Sequence, residues 1–429
     1  MNSAPGIMQH DQEMADITFT DSVTHACPFP AYDRLREEAP VYLDPVTGHY
    51  VLTRYADIRS ALMKFKQYSN AVGLVGLRES DVAAEVEAMY QREGWPQNQQ
   101  MQSMDPPGHR EKRSRVDRAF ARWNVEKIEP LIGALANELV DDFVDQGTTE
   151  FVASFAAMLS ISVITQQLGV VREPGSSIND YVGQIQQWSD LAIEEIDPML
   201  PPERYIEITR EMIAMQHFFV NNIQRVAAAP DDTLLSQLVQ SVVTETGEPD
   251  IPEILQTMKM LMVAGNETTR FAFVSGMKVL VEHPDVAKRL GAEPDDIPAF
   301  VEETLRLSSP VQTLFRRTTD DVELHGVLIP KGARVEVRFG AANRDPATFS
   351  CPTEFTLGRE NIGSHLAFGS GIHSCIGMQL ARAELAIGFR VILQRMKNFA
   401  AARGEDSFTP SSAYLTYGFT ELHLKFDPC

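Results

Sequence analysis

Phe368-Gly369-Ser370-Gly371-Ile372-His373-Ser374-Cys375-Ile376-Gly377 is the stretch on which the fold turns. Three glycines in ten residues let a backbone double back where a Cβ would clash, and leave room for something flat beside it. The run Met378–Leu385 follows at once and reads as a helix, so Cys375 stands just before a helix N-terminus. Unpaired N–H groups and the dipole there favour a thiolate over a thiol. A thiolate so held is either a nucleophile or a metal ligand. A lone cysteine among glycines is most often a buried structural residue. Here six positions are specified at once, Phe-Gly-x-Gly-x-His-x-Cys-x-Gly, and a chance match in a chain of this composition is on the order of one in a million.

Upstream, Asp250–Glu282 carries the longest helical pattern, with Ile254, Leu255, Met258, Leu261 and Met262 forming an apolar stripe. Its middle reads Ala264-Gly265-Asn266-Glu267-Thr268-Thr269. A mid-helix glycine costs about 1 kcal/mol against alanine, and adjacent threonines compete for backbone carbonyls. Such a breach of local rules marks either a tight helix crossing or a working site. A second helix, Val301–Arg306, puts Glu303 and Arg306 three apart, where they can pair on one face. The formula alone is weak, because Glu267-Thr-Thr-Arg270 also satisfies it. A third helix opens at Asp105-Pro106-Pro107-Gly108-His109 and is basic: His109, Arg110, Lys112, Arg113, Arg115, Arg118 and Arg122. His109 and Arg113 share one face at i, i+4. A charge run is usually a solvated face, but in a chain of net charge −21 it is conspicuous.

These motifs together resemble the cytochrome P450 family, from about Pro28 to Phe426. The resemblance implies a mainly α fold with a smaller β-rich lobe, one domain over 21–429 after a loose polar tail at 1–20. It implies haem b (iron protoporphyrin IX), with Cys375 as the axial ligand, an electron-rich sulfur that favours O–O cleavage. Phe368 would pack beside the thiolate, Gly369 and Gly371 would allow the turn, and Gly377 the close approach to the porphyrin. His109, Arg113, His373 and Arg316 would reach the propionates; Arg316 is preferred to Arg317 from its distance to the Asp321–Leu324 strand. Ala264 and Gly265 would leave room for dioxygen in a widened helical turn. Thr268 would hydrogen-bond the dioxygen and a water, and Glu267 would relay protons to them. Glu303 precedes Cys375 by 72 residues, where the family has its Glu-x-x-Arg helix, so Glu303 and Arg306 would be a buried structural pair.

The implied activity is monooxygenation, hydroxylation above all, of a small hydrophobic substrate (a terpenoid, steroid, fatty acid or aromatic). Met260, Val263, Gln312, Thr313 and Leu314 are the pocket candidates. Electrons would come from NAD(P)H through a reductase and an iron–sulfur ferredoxin. The remaining basic residues of that helix, Arg110, Lys112, Arg115, Arg118 and Arg122, would dock that acidic donor. A peroxide-driven peroxygenase on the same scaffold normally lacks the Glu267–Thr268 pair. A haem-thiolate sensor would need no proton relay and would carry a fused effector.

Composition agrees. The chain has 429 residues, 44% hydrophobic and 23% charged, with 38 basic against 59 acidic side chains. That balance makes nucleic acid and anionic membranes poor partners. Cys27, Cys351, Cys375 and Cys429 are scattered without a C-x-x-C pair, which suits a reducing cytoplasm. The acidic first twenty residues suggest neither a signal peptide nor a membrane anchor. Val41–Leu43 and Tyr50–Leu52 read as a hairpin, Asn70–Met104 as the least regular part, and Val125–Val243 as successive helices.

Overall fold

The computed structural model describes residues 16–72, 82–172, 174–197 and 199–429, with Trp123 described by its backbone alone. Its axis is the helix Ile251–Glu282. Asp250 caps it by accepting the Glu253 N–H at 3.2 Å, and Pro252 sits in the first turn, where a missing N–H costs nothing. Apolar residues lie nearly all round this helix, the pattern of an element enclosed by others. Ala157–Leu168, Ile178–Glu194, Pro202–Ala228, Ile297–Ser308 and Met378–Arg395 pack on it. In chain order, the helices used below are α1 (Tyr55–Met63), α2 (Ala83–Glu93), α3 (Gly108–Val116), α4 (Ala157–Leu168), α5 (Ile178–Glu194), α6 (Pro202–Ala228), α7 (Ile251–Glu282), α8 (Ile297–Ser308) and α9 (Met378–Arg395).

The smaller lobe is a five-stranded sheet in the order β1 (Val41–Leu43), β2 (Tyr50–Leu52), β8 (Arg334–Arg338), β5 (Thr313–Thr318), β3 (Tyr68–Ser69). Only β2 and β8 run parallel. The expected hairpin pairs Val41 with Leu52. A separate core under this sheet joins Leu52, Ile58, Leu62, Val335, Val337 and Leu366, which seats α1 and the approach to the cysteine loop on the sheet. Among the described residues no helix is long and apolar enough to cross a membrane.

Three expectations need correction. Within 70–104, α2 is a regular helix burying Val86, Met89 and Tyr90; Gly73 and Gly76 lie outside the described residues. Of the expected tail, residues 1–15 are outside the description, but Ile17 and Phe19 are buried against Tyr32 and Tyr42. The helical stretch 125–243 is interrupted by a strand, Thr148–Glu150, and a π-helical turn, Val152–Ala156.

Candidate functional site

The cysteine loop is held by backbone conformation and by α1. Gly369 and Gly371 have φ of 67° and 75°, and a Cβ on Gly371 would stand 2.7 Å from the Leu62 carbonyl. Only glycine satisfies both demands. The Cys375 N–H donates to Phe368 O at 2.8 Å and closes the loop. The Cys375 side chain is accessible, yet burial pushes its thiol up against the Gly377 N–H and the positive charges of Arg113 and Arg382. Both statements describe a sulfur opening into an internal space. The expected helix-terminus preference for thiolate is thus outweighed by enclosure. Beside the loop, Arg382 lies 4.7 Å over the Phe368 ring and grips Glu302 at 2.6 and 2.9 Å. Burial would raise Glu302, but hydrogen bonds from His365 and Arg382 hold it at about 2. The Glu302–Arg382–His365 group had no signal in the sequence.

Four donors gather next to that loop. The His109 and His373 rings are 4.0 Å apart, and each Nε2 is buried without a hydrogen-bond partner. Arg113 Nη1 donates to the Ile372 and Ser374 carbonyls at 3.1 and 2.8 Å, tying α3 to the loop. Arg316, on β5, is buried and donates to Phe315 O at 2.7 Å; it has no carboxylate partner among the described residues. Burial lowers Arg316 to about 10 against the pull of Asp105. Burial, with the positive charges of His109, Arg316 and Arg113, drives His373 down to about 3. Arg113 also meets the exposed Asp117 at 3.1 Å, but the buried Arg316 and the two imidazoles with unpartnered Nε2 atoms leave donors in excess, a cluster complementary to an anionic group. The carboxylates of a haem, above an accessible sulfur, fit the residues present.

The remaining basic side chains of α3 behave differently from expectation. Lys112 reaches Glu253 at 2.7 Å and Gln99 O at 2.8 Å, and Arg115 divides itself between Glu111 and Glu253. They fasten α3 to the start of α7 instead of forming a free docking face. Arg110 is exposed.

In the middle of α7, Ala264 is exposed and Gly265 and Thr268 are half-exposed, while Val263, Asn266 and Glu267 are buried. A patch accessible within a buried helix faces an interior space. The helix stays α-helical here, without the expected widening, and the Thr268 hydroxyl donates to Ala264 O at 2.8 Å. Gly265 serves a crossing: its Cβ would come 2.8 Å from Cγ1 and Cδ1 of Ile164 on α4. Glu267 Oε2 has no partner, and burial lifts the carboxyl to about 8 against the attraction of Arg270 at 3.8 Å. Arg270 in turn pairs with Asp190 on α5 at 3.1 Å.

Glu303 and Arg306 pair within α8 at 2.8 Å through both oxygens, fully buried. Arg359 donates to both Glu303 oxygens at 3.1 Å, a third member that sequence spacing did not reveal. Arg306 also binds the carbonyls of Asn343 and Pro352, fixing the chain that leads to the cysteine loop.

The pocket candidates divide. Leu314 is 41% exposed, on the same face of β5 as Arg316. Gln312 is a correction: it accepts from Tyr32 at 2.9 Å and donates to Ser308 and Ser309 carbonyls, so it is a buried brace. Thr313 is wholly buried on the opposite strand face. Met260 and Val263 are nearly buried; Met260 borders a small cavity with Lys112, Glu253 and Gln256.

Comparison with known proteins places this geometry. A family model described as Cytochrome P450 matches residues 69–411. The chain is 30% identical over 401 residues to cytochrome P450 107B1 of Saccharopolyspora erythraea, covering 92% of this chain and 94% of that one. It is 30% identical over 407 residues to the 6-deoxyerythronolide B hydroxylase of the same organism, covering 93% and 96%. The solved structure of CYP109Q5 from Chondromyces apiculatus superposes with a TM-score of 0.80 at 27% identity, over 97% of this chain and 99% of that one.

Proposed function

The chain belongs to the cytochrome P450 family and is a haem b monooxygenase, and from that premise we propose that Cys375 is the iron's axial ligand, with His109, Arg113, His373 and Arg316 on the propionates. When bound, the haem supplies an iron centre at which dioxygen is reduced, and a thiolate ligand favours O–O cleavage. One oxygen atom enters a small hydrophobic substrate, by hydroxylation of a C–H bond.

The observation that carries this reading is a sulfur open to an interior space beside the buried Arg316 and two imidazoles whose Nε2 atoms have no hydrogen-bond partner. Gly377 lies against the sulfur, the Phe368 carbonyl holds the Cys375 N–H, and Gly369 with Gly371 supports the turn that aims it. Thr268 must release Ala264 O before its hydroxyl can donate to dioxygen, an exchange costing about 1 kcal/mol, whereas it can accept from a water without that release. Glu267, near 8, can both give and take a proton close to neutral pH, as a relay requires. Ala264 offers the accessible surface beside them.

Electrons come from NAD(P)H through a reductase and an iron–sulfur ferredoxin. Arg110 and Arg118, exposed on and just after α3, are the basic groups best placed to meet an acidic donor. Four unpaired cysteines support work in the reducing cytoplasm. The deciding experiment is the absorption spectrum of the reduced, carbon monoxide-treated protein. The band of sulfur-ligated haem should be present in the wild type and gone in Cys375→Ala; its absence from the wild type, or its survival in the variant, refutes the assignment.

A further inference from the structure

Upstream of Ala264, the interior along α7 turns from apolar to donor-rich. Tyr90 of α2 and Gln256 and Lys259 of α7 line one small cavity, whose wall includes Met212, Met215 and Phe219 of α6. Tyr90 is 1% exposed and its hydroxyl has no hydrogen-bond partner. Gln97 and Thr209 stand close enough to ease its ionisation, yet neither meets it in hydrogen-bond geometry. The Gln256 carbonyl accepts from Gln100 at 3.3 Å, and its amide N–H groups meet no acceptor among the described residues. Among the described residues Lys259 Nζ donates to Glu195 Oε2 alone, at 2.9 Å.

A buried donor without an acceptor costs roughly 1–3 kcal/mol; Tyr90 is such a donor, and Gln256 and Lys259 line the same space, with Leu255, Met212, Met215 and Phe219 as its apolar wall and Gln97 and Gln216 also on it. The matching ligand group is an acceptor oxygen on an apolar body. Its charge is decided by Glu195, which is 3% exposed and already neutralises Lys259. A carboxylate would add a second buried anion to one cation, an uncompensated charge of the kind interiors reject. A neutral carbonyl adds none. Gln256 and Ala264 are eight residues apart, about 12 Å along a helix rising 1.5 Å per residue.

We infer that the substrate carries a neutral carbonyl oxygen (ketone, ester or lactone) docking among Tyr90, Gln256 and Lys259, about 12 Å along α7 from the carbon oxidised near Ala264. The inference rests on the proposed reading of Ala264–Thr268 as the reacting end.

The test is equilibrium dialysis of the haem-loaded protein at pH 7.5 against 2-undecanone, undecane and undecanoic acid, three probes of similar length. The ketone should bind about tenfold or more tightly than the other two, since each tenfold corresponds to one modest hydrogen bond. Tyr90→Phe should weaken the ketone by about three- to tenfold and leave undecane unchanged. Glu195→Gln frees the Lys259 charge and should reverse the order, so that the acid binds more tightly than the ketone. Equal wild-type affinities, as expected if ordered water alone fills the cavity, overturn the inference. So does an unchanged ketone affinity in Tyr90→Phe, a conservative variant that keeps the test decisive even if Glu195→Gln fails to fold. Because dialysis reads binding without turnover, this outcome is separate from the carbon monoxide band: a missing band removes the assigned chemistry, whereas equal affinities with the band intact remove only the carbonyl site.

Discussion

Replacing Glu267 by Gln separates a buried, protonated carboxyl from an ordinary one. Glu267 is 2% exposed, Oε2 is unpartnered, and burial holds the group at about 8 against 4.5 for an unperturbed glutamate. Between those values the folded chain keeps a proton that the unfolded chain has released. Stability therefore falls as pH rises through this window, by about 1.4 kcal/mol per pH unit where the difference in bound protons is complete. From pH 5 to pH 7 the accumulated loss is about 2–3 kcal/mol, and above about pH 8 nothing more is lost because both states are ionised. Glutamine has the same shape and no titrating proton, so its profile lacks this decline. Urea midpoints of wild type and Glu267→Gln, measured at pH 5, 6, 7 and 8 with the slopes checked for constancy, give the difference directly. The variant should gain about 2–3 kcal/mol on the wild type between pH 5 and pH 7, and the infrared absorption of protonated carboxyls at pH 7 should weaken, with burial keeping Glu384 as a remaining contributor. Parallel stability profiles would refute the elevated pKa, and with it the claim that Glu267 exchanges protons near neutrality.

Glu303→Gln leaves the Arg306 and Arg359 guanidiniums facing a neutral amide in a buried site, and should cost about 3–5 kcal/mol in urea unfolding together with poorer haem retention; an unchanged midpoint would show the triad to be dispensable. Gly265→Ala drives a methyl to 2.8 Å from Ile164 and should cost about 1–3 kcal/mol, with part of the loss recovered when Ile164→Val removes the Cδ1 methyl in the same chain. Strictly additive effects of the two substitutions would show that the contact is not what the glycine serves.

What the sequence made legible and what it concealed follow from the range of the interactions involved. The cysteine loop could be read because its demands are local: positive φ at Gly369 and Gly371 and one backbone hydrogen bond seven residues long, from Cys375 to Phe368. The Glu303–Arg306 pair, three residues apart on one helix, was legible for the same reason, whereas Arg359 lies 56 residues from Glu303 and left no trace. Lys112 was read as part of a free basic face because its partner Glu253 is 141 residues away, and charge patterning sees only neighbours. Gln312 stands beside Thr313 and Leu314 in the sequence, and adjacency does not say which side chains turn into the core; Tyr32, 280 residues away, settles that. The α2 helix had visible i, i+3, i+4 spacing in Val86, Met89 and Tyr90, obscured by the glycines on either side. The chemistry of this protein is therefore written in short segments, since a cofactor loop must hold its shape by its own backbone. Its choice of substrate is written between α2, α6 and α7, in residues such as Tyr90 and Lys259 that meet only once the chain is folded. Selection on substrate can change those long-range meetings one side chain at a time while leaving the cysteine loop untouched, and that is the physical reason the reaction class is legible from the sequence and the pocket is not.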